Sequence, residues 1–316
     1  MGYIDDVVAF APSEPTAWMM ASAVFKSANR LGMTFSLKKF KTPAPTNRAI
    51  GFVFDLPKQT VEIPVDKLEK AQRRIHAVLD PVWTTAKDTE RLLGLLQWMA
   101  PIIYPSKVML RTLTAELTQC NATDQRSFKV SRAAKLHLHW WLEWAQQLNK
   151  CSFDTVLGIF PTCHTFVYTD ASDWGIGAWL HPHRRSLGIS FSEMPPRLRH
   201  LAKKHIGIRE AFALSAALCS WDRYLSHRYV RCFVDNRPVH DALCNLWSCN
   251  SDVMIQLRTI ALAGVRLQSR FFFHWIPTDQ NPVADALSRN LPREFRQAIG
   301  PKREYRDLFV FEKLSL

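Results

Sequence analysis

Four acidic residues in the second half of the chain stand where local structure could turn them toward one another. Asp170 closes the run Thr165-Phe-Val-Tyr-Thr-Asp, and Asp235 closes Tyr229-Val-Arg-Cys-Phe-Val-Asp. Glu210 sits inside the Ala- and Leu-rich stretch His205–Leu218, and Asp285 follows Asn281-Pro-Val-Ala. Carboxylates crowded into one cleft repel and take up protons. A hard divalent cation reverses that, because Mg2+ (or Mn2+) prefers oxygen ligands. Two such ions about 3.5–4 Å apart can activate a water and stabilise the leaving oxygen of a phosphodiester. Asp170, Glu210, Asp235 and Asp285 are therefore the candidate catalytic and metal-binding set, with Mg2+ (or Mn2+) as the expected cofactor.

The elements that would carry them can be read from spacing. Side chains alternate along a strand, so Phe166, Tyr168 and Asp170 share a face, as do Phe233 and Asp235. Gly175 and Gly177 allow a close turn and close backbone approach. Glu210 lies at helical spacing among Ile206, Ala213, Leu214 and Ala217. A third strand runs over Phe271–Ile276. Asn281 as cap and Pro282 at the first helical position then start a helix, with Asp285 in its first turn, where the dipole favours an anion. Taken singly, each of these acids also reads as a cap or a solvated charge. The ordered series of strand-Asp, helix-Glu, strand-Asp and helix-start-Asp is what singles them out. Asp173 reads as a turn residue, and His274 as a packed strand residue.

These residues carry a resemblance. Thr169-Asp170-Ala-Ser with Gly175-Ile-Gly-Ala, Glu210, Val234-Asp235-Asn236, Trp275-Ile-Pro and Asn281-Pro-Val-Ala-Asp285-Ala-Leu-Ser-Arg289 resemble the ribonuclease H domain of retroelement reverse transcriptases. The Ala-Asp-Ala-Leu-Ser-Arg ending is similar to gypsy-type elements, and Val-Asp-Asn-Arg-Pro-Val to DIRS-type, tyrosine-recombinase retrotransposons. The resemblance implies a mixed five-stranded sheet flanked by helices and metal-dependent cutting of RNA in an RNA–DNA hybrid. Many relatives carry a mobile His after the last strand. Pro277-Thr-Asp-Gln280 holds none, so product release or proton transfer would fall to other groups.

The start of the chain, Tyr3-Ile-Asp5-Asp6, resembles the Tyr-x-Asp-Asp hairpin of a reverse-transcriptase palm, where paired aspartates help hold the polymerase metals. In that family a further palm aspartate lies well before the hairpin. Asp5 and Asp6 are thus expected to form an incomplete metal site, with fingers and the rest of the palm belonging to a longer polyprotein, and the chain alone is expected to lack DNA polymerase activity. Two other readings stay open: a catalytically inactive nucleic-acid-binding relic, and a fragment of a longer RNA-directed DNA polymerase.

Pattern along the chain extends the organisation. A helix is expected over Thr16–Leu31 with Met20, Val24, Ala28 and Leu31 as its stripe, then a strand over Thr34–Phe40 and a hairpin around Pro57. Three Pro-punctuated amphipathic helices follow, the first opened by Pro64 and stopped by Asp80-Pro81 (Val65, Leu68, Gln72, Ile75 and Leu79 in line), the others over about 85–100 and 106–119, and then a Trp-rich helix over Ser131–Leu148. The fold class expected is α+β multidomain: a partial palm (1–63), thumb-like helices (64–120), a connection (121–160), the ribonuclease H-like unit (161–290) and a tail (291–316).

Composition fits a nucleic-acid partner. The 316 residues are 47% hydrophobic, enough for real cores, and carry a net charge of +13. Lys38, Lys39, Arg184, Arg185, Arg197, Lys203 and Lys204 are the candidate phosphate contacts, each also readable as an ordinary solvated charge. Seven cysteines without disulfide spacing point to a reducing, intracellular compartment, nucleus or cytoplasm alike. His240 with Cys244 and Cys249 suggests zinc, but a single Cys-x4-Cys lacks the second pair of a structural site. No apolar run reaches membrane-spanning length.

Overall fold

A computed structural model of the chain describes residues 7–156, 159 and 161–289. Helix α1 (Glu14–Arg30) is capped by Ser13, whose hydroxyl accepts from the Thr16 N–H. Strands β1 (Thr46–Ala49), β2 (Phe52–Asp55) and β3 (Thr60–Glu62) form an antiparallel meander, which includes the hairpin expected around Pro57. Next come α2 (Val65–Leu79), β4 (Thr84–Thr85), α3 (Ala86–Met99), α4 (Arg111–Ala122), β5 (Ser127–Phe128) and α5 (Arg132–Trp144). The chain then adds β6 (Cys151–Ser152) to the edge of β3 and makes the short α6 (Phe153–Val156), while β4 pairs with β5.

Hydrophobic spacing explains most of these helices. On α2, Leu68, Ala71, Ile75, Val78 and Leu79 make one buried face. Val65 and Gln72, expected on that stripe, are exposed, and Ala71 and Val78 fill the face instead. Leu92, Leu96 and Met99 of α3 are buried as their spacing predicts. The helix expected from Ser106 divides into a 3-10 turn, Ser106–Met109, and α4, which buries Leu113 and Leu117.

Two N-terminal expectations fail. Thr34–Phe40 is not a strand, and its only regular part is a 3-10 turn at Leu37–Lys39. Instead of alternating across a sheet, Phe35 and Phe40 both pack edgewise on Phe25 of α1, with ring centroids 5.4 Å apart in each case. On α1 the expected stripe does not enter a core: Ala28 alone is buried, and Met20 and Leu31 are exposed.

The second half supplies the larger sheet. Strands β7 (Thr165–Ala171), β8 (Gly175–His181) and β9 (Arg185–Ser190) are antiparallel neighbours. Helices α7 (Ile206–Ser220) and α8 (Asp222–Leu225) lead to β10 (Tyr229–Val234), then α9 (Arg237–Asn245), α10 (Ser251–Arg266), β11 (Arg270–Trp275) and α11 (Pro282–Ser288). The spatial order is β11-β10-β7-β8-β9, with β10 parallel to both β7 and β11. This is a mixed five-stranded sheet flanked by helices. Helix α7, buried almost all round, lies between the sheet and α10.

Helix α11 crosses β8 at a spot only glycine permits. A Cβ on Gly177 would stand 2.2 Å from the Ala284 carbonyl oxygen and 2.5 Å from the Ser288 nitrogen. One hydrophobic core runs through both halves, from Ile63, Leu92 and Trp141 to Val167, Leu214 and Leu257. Polar ties span them as well: Arg111 Nε donates to the Ser248 carbonyl at 3.2 Å, and Arg270 donates to Thr155 Oγ1 at 2.8 Å. All seven cysteines are free thiols. No helix among the described residues is long and apolar enough to cross a membrane.

Candidate active site

The strand register brings two of the acids level. Phe233 of β10 pairs with Tyr168 of β7 in parallel, so Asp235, two residues on, stands beside Asp170. The two aromatics stack face to face, centroids 4.6 Å apart and 13° from coplanar, and support the same face of the sheet. Glu210 reaches this point from the first half of α7. Oxygens of Asp170, Glu210 and Asp235 all lie within 4.8 Å of one another. Asp170 is only 5% exposed and Glu210 8%, while Asp235 is half-buried.

Burying like charges together raises their proton affinity. The Asp170 carboxyl is pushed up to about 6, chiefly by burial. The Ser288 hydroxyl, 2.6 Å from its Oδ2, works the other way, and Asp235 and Asp285 add to the rise. Glu210 is pushed up to about 8, by burial first and Asp235 second, against the hydrogen bond from Asn236. Its Oε2 is buried with no partner. A buried oxygen without a donor, beside two more carboxylates, offers a seat for a cation, and without one the cluster takes up protons instead. The donor set is all oxygen, which suits magnesium or manganese.

Asp285 differs from the other three. It lies in the first turn of α11, near enough to raise Asp170, but it is outside the close trio and its carboxylate accepts from Arg289 Nε at 2.6 Å. The Asn281 cap expected before it is not made. The Asn281 side chain, 1% exposed, donates instead to the Thr169 carbonyl at 2.9 Å and so ties the start of α11 to β7. Pro282 does open the helix as expected.

The basic candidates do not gather. Lys38 and Lys39 are exposed on the 3-10 turn after α1. Arg184 is exposed and Arg185 half-buried over Tyr224, at the β8–β9 hairpin. Because Leu180 pairs with Arg185 while Gly177 pairs with Asp170, that hairpin lies roughly 10 Å or more along the strands from the acids. Arg197 and Lys203 are exposed in the 3-10 segment leading to α7, and Lys204 is held by Asp252 at 2.8 Å. Asp5, Asp6 and the 291–316 tail lie outside the described residues.

Three further residues shape the site. Ser288 braces Asp170, and its place three residues after Asp285, on the same helix face, could have signalled it. Asn236 bonds Glu210 while its Oδ1 caps α9 through the Val239 N–H at 3.1 Å. Arg209, nearly buried, donates to the Ser172 carbonyl at 2.9 Å and to Asp173 at 2.8 Å, clamping the β7–β8 turn to α7. Nothing in the spacing marks Arg209.

No family model matches this chain, and no curated protein matches it. Several solved structures are similar to it. One is the RNase H1 called LC11, isolated from compost by a metagenomic approach, at 18% identity and TM-score 0.32, over 40% of this chain and 93% of that one. Another is RNase H1 from the halophilic archaeon Halobacterium salinarum NRC-1, at 20% identity and TM-score 0.31, over 39% of this chain and 92% of that one. A third is the foamy viral protease-reverse transcriptase in complex with an RNA/DNA hybrid, at 14% identity and TM-score 0.39. That match takes in 90% of this chain, which spans 35% of the viral protein's length.

Proposed function

We propose that the chain is a ribonuclease H-like hydrolase that uses divalent cations to cut the RNA strand of an RNA–DNA hybrid. The observation that carries this reading is the trio Asp170, Glu210 and Asp235, with mutually close oxygens, two members buried, and an orphaned Glu210 Oε2. The Thr-Asp-Ala-Ser, Val-Asp-Asn and Ala-Asp-Ala-Leu-Ser-Arg motifs around it supply the reaction class by resemblance. Asp170, Glu210 and Asp235 would hold the ions, with Asp285 at the rim. Bound magnesium or manganese would supply charge neutralisation at the scissile phosphate and a more acidic water. Ser288 orients the Asp170 carboxylate, and Asn236 orients Glu210. Lys203, exposed just before the Glu210 helix, is the better placed phosphate contact, with Arg197 a further candidate in the same segment; Lys204, bonded to Asp252, and the distant Arg184 and Arg185 are the poorer ones.

The finer reading makes residues 1–63 a partial reverse-transcriptase palm, 64–120 a thumb and 121–160 a connection, of retrotransposon origin. The test is cleavage by the purified chain, with Mg2+ or Mn2+, of a labelled RNA–DNA hybrid beside double-stranded RNA and double-stranded DNA of the same sequence. Cuts confined to the RNA of the hybrid are expected. Failure to cut it with either ion, or equal cutting of the duplex DNA, would overturn the reading.

A further inference from the structure

Helix α9 carries a second set of donor atoms, chemically unlike the first. His240 and Cys244 lie one turn apart, and the Cys244 sulfur is 3.3 Å from His240 Nε2. The other ring nitrogen, Nδ1, is 3.0 Å from the Asp241 carboxylate. A carboxylate only accepts, so Nδ1 carries the proton of the neutral ring and Nε2 presents a lone pair. A carboxylate on the far nitrogen is how a metal-binding imidazole is held in tautomer and orientation. The bite also fits. A tetrahedral cation with Zn–N of about 2.0–2.1 Å and Zn–S of about 2.3 Å places its nitrogen and sulfur roughly 3.6 Å apart. The observed separation needs only a small side-chain rotation to reach it. Cys244 is exposed to solvent; its thiol also makes a long 3.9 Å hydrogen bond to the Phe273 carbonyl, and partial burial, followed by the Asp241 charge, pushes its pKa up, so a bound cation has to displace the proton.

We infer that His240 and Cys244, braced by Asp241, form a cation site on α9 for a thiophilic divalent ion of the zinc class. One sulfur and one imidazole nitrogen select such an ion over magnesium, whereas the trio around Asp170 offers oxygen only. Solvent completes the coordination. On binding, the Cys244 S–H bond breaks, its proton goes to solvent, the thiolate and the His240 lone pair bond the cation, and no electron changes hands. The Cys-x4-Cys pattern pointed to Cys249 as a partner, but the geometry selects the helical His-x3-Cys. The seat is one turn from Asn236, whose carbonyl accepts the His240 N–H at 2.9 Å. The site does not depend on the nuclease reading.

The probe is cobalt(II), added at near-neutral pH to the reduced full-length chain in excess Mg2+, which occupies the oxygen-only centre. A near-ultraviolet sulfur-to-cobalt charge-transfer band is expected at one equivalent, removed by added zinc. Cys244→Ser should abolish the band, and Asp241→Asn should weaken cobalt binding by about tenfold. His240→Ala should weaken it further still, while Cys249→Ser and Asp170→Asn leave it intact. Far-ultraviolet circular dichroism checks that each variant stays folded. No band at millimolar cobalt, a band that survives Cys244→Ser, one lost with Cys249→Ser, or one unmoved by His240→Ala would each overturn the site.

Discussion

Glu210→Gln should stabilise the metal-free protein at alkaline pH while destroying the proposed activity. The side chain is 8% exposed, one of its oxygens has no partner, and its pKa stands at about 8 against an ordinary 4.5. A carboxyl that is less acidic when folded binds more protons in the folded state, so its contribution is fully present below the unfolded value and is lost as pH rises to the folded one. At about 1.36 kcal/mol per pH unit, the interval from 4.5 to about 8 corresponds to roughly 4–5 kcal/mol. Asp170, raised to about 6, adds a loss of the same sign at lower pH in both proteins. Glutamine keeps the shape and can still accept from Asn236, but it has no charge to bury. Thermal melts in the presence of a chelator, from about pH 4.5 to 9, should start nearly together and diverge. Above pH 8 the variant should melt several degrees higher. Magnesium should close the gap by binding only the folded, ionised cluster of the wild type. Parallel melting curves across the whole range would refute the claim that an ionised Glu210 is held at a cost in the folded chain.

Other consequences are as direct. Ser288→Ala removes the 2.6 Å bond to Asp170, and loss of a hydrogen bond to a charged group, about 1.5–3 kcal/mol, should raise the magnesium needed for half-maximal cleavage by tenfold or more, with Ser288→Thr restoring part of it. An unchanged magnesium requirement would mean that Ser288 does not brace the ligand. Gly177→Ala puts a Cβ 2.2 Å from the Ala284 carbonyl oxygen, so α11 must shift; unfolding free energy should fall by about 1–3 kcal/mol together with activity, and a native-like variant would contradict the packing. At limiting magnesium the cleavage rate should climb with pH through the Asp170 and Glu210 values of about 6 and about 8, and more magnesium should move the profile to lower pH, because protons and cations compete for the same oxygens. A profile indifferent to magnesium would exclude that competition.

Much of the site was legible because it is built on strands with strict alternation. Tyr168 with Asp170 and Phe233 with Asp235 each fix a face two residues apart, and the parallel register then brings the acids level. Glu210 was legible from helical spacing, and Gly177 from the need for close approach. The supporting contacts were harder to read, because they join residues far apart in the chain: Ser288 with Asp170, Asn281 with Thr169, and Arg209 with the Ser172 carbonyl. Local rules even misled at Asn281, where Asn-Pro signals a cap but a buried carbonyl claims the amide. Thr34–Phe40 misled in the same way, since alternation predicts a strand only where a neighbouring strand exists, and here two phenylalanines pack on α1 instead. The His240–Cys244 pair is the converse case, two donors that lack the second pair of a full zinc signature but that one helical turn brings to 3.3 Å.

The most direct test is the single-turnover rate of RNA cleavage in a hybrid, with saturating Mg2+, for the wild type beside Asp170→Asn and Asp235→Asn. Losing one oxygen ligand of a shared ion centre should slow each variant by about a hundredfold or more, with both still folded by circular dichroism. Near wild-type rates in either variant would show that the hydrolysis, whatever drives it, does not run on the cluster around Asp170.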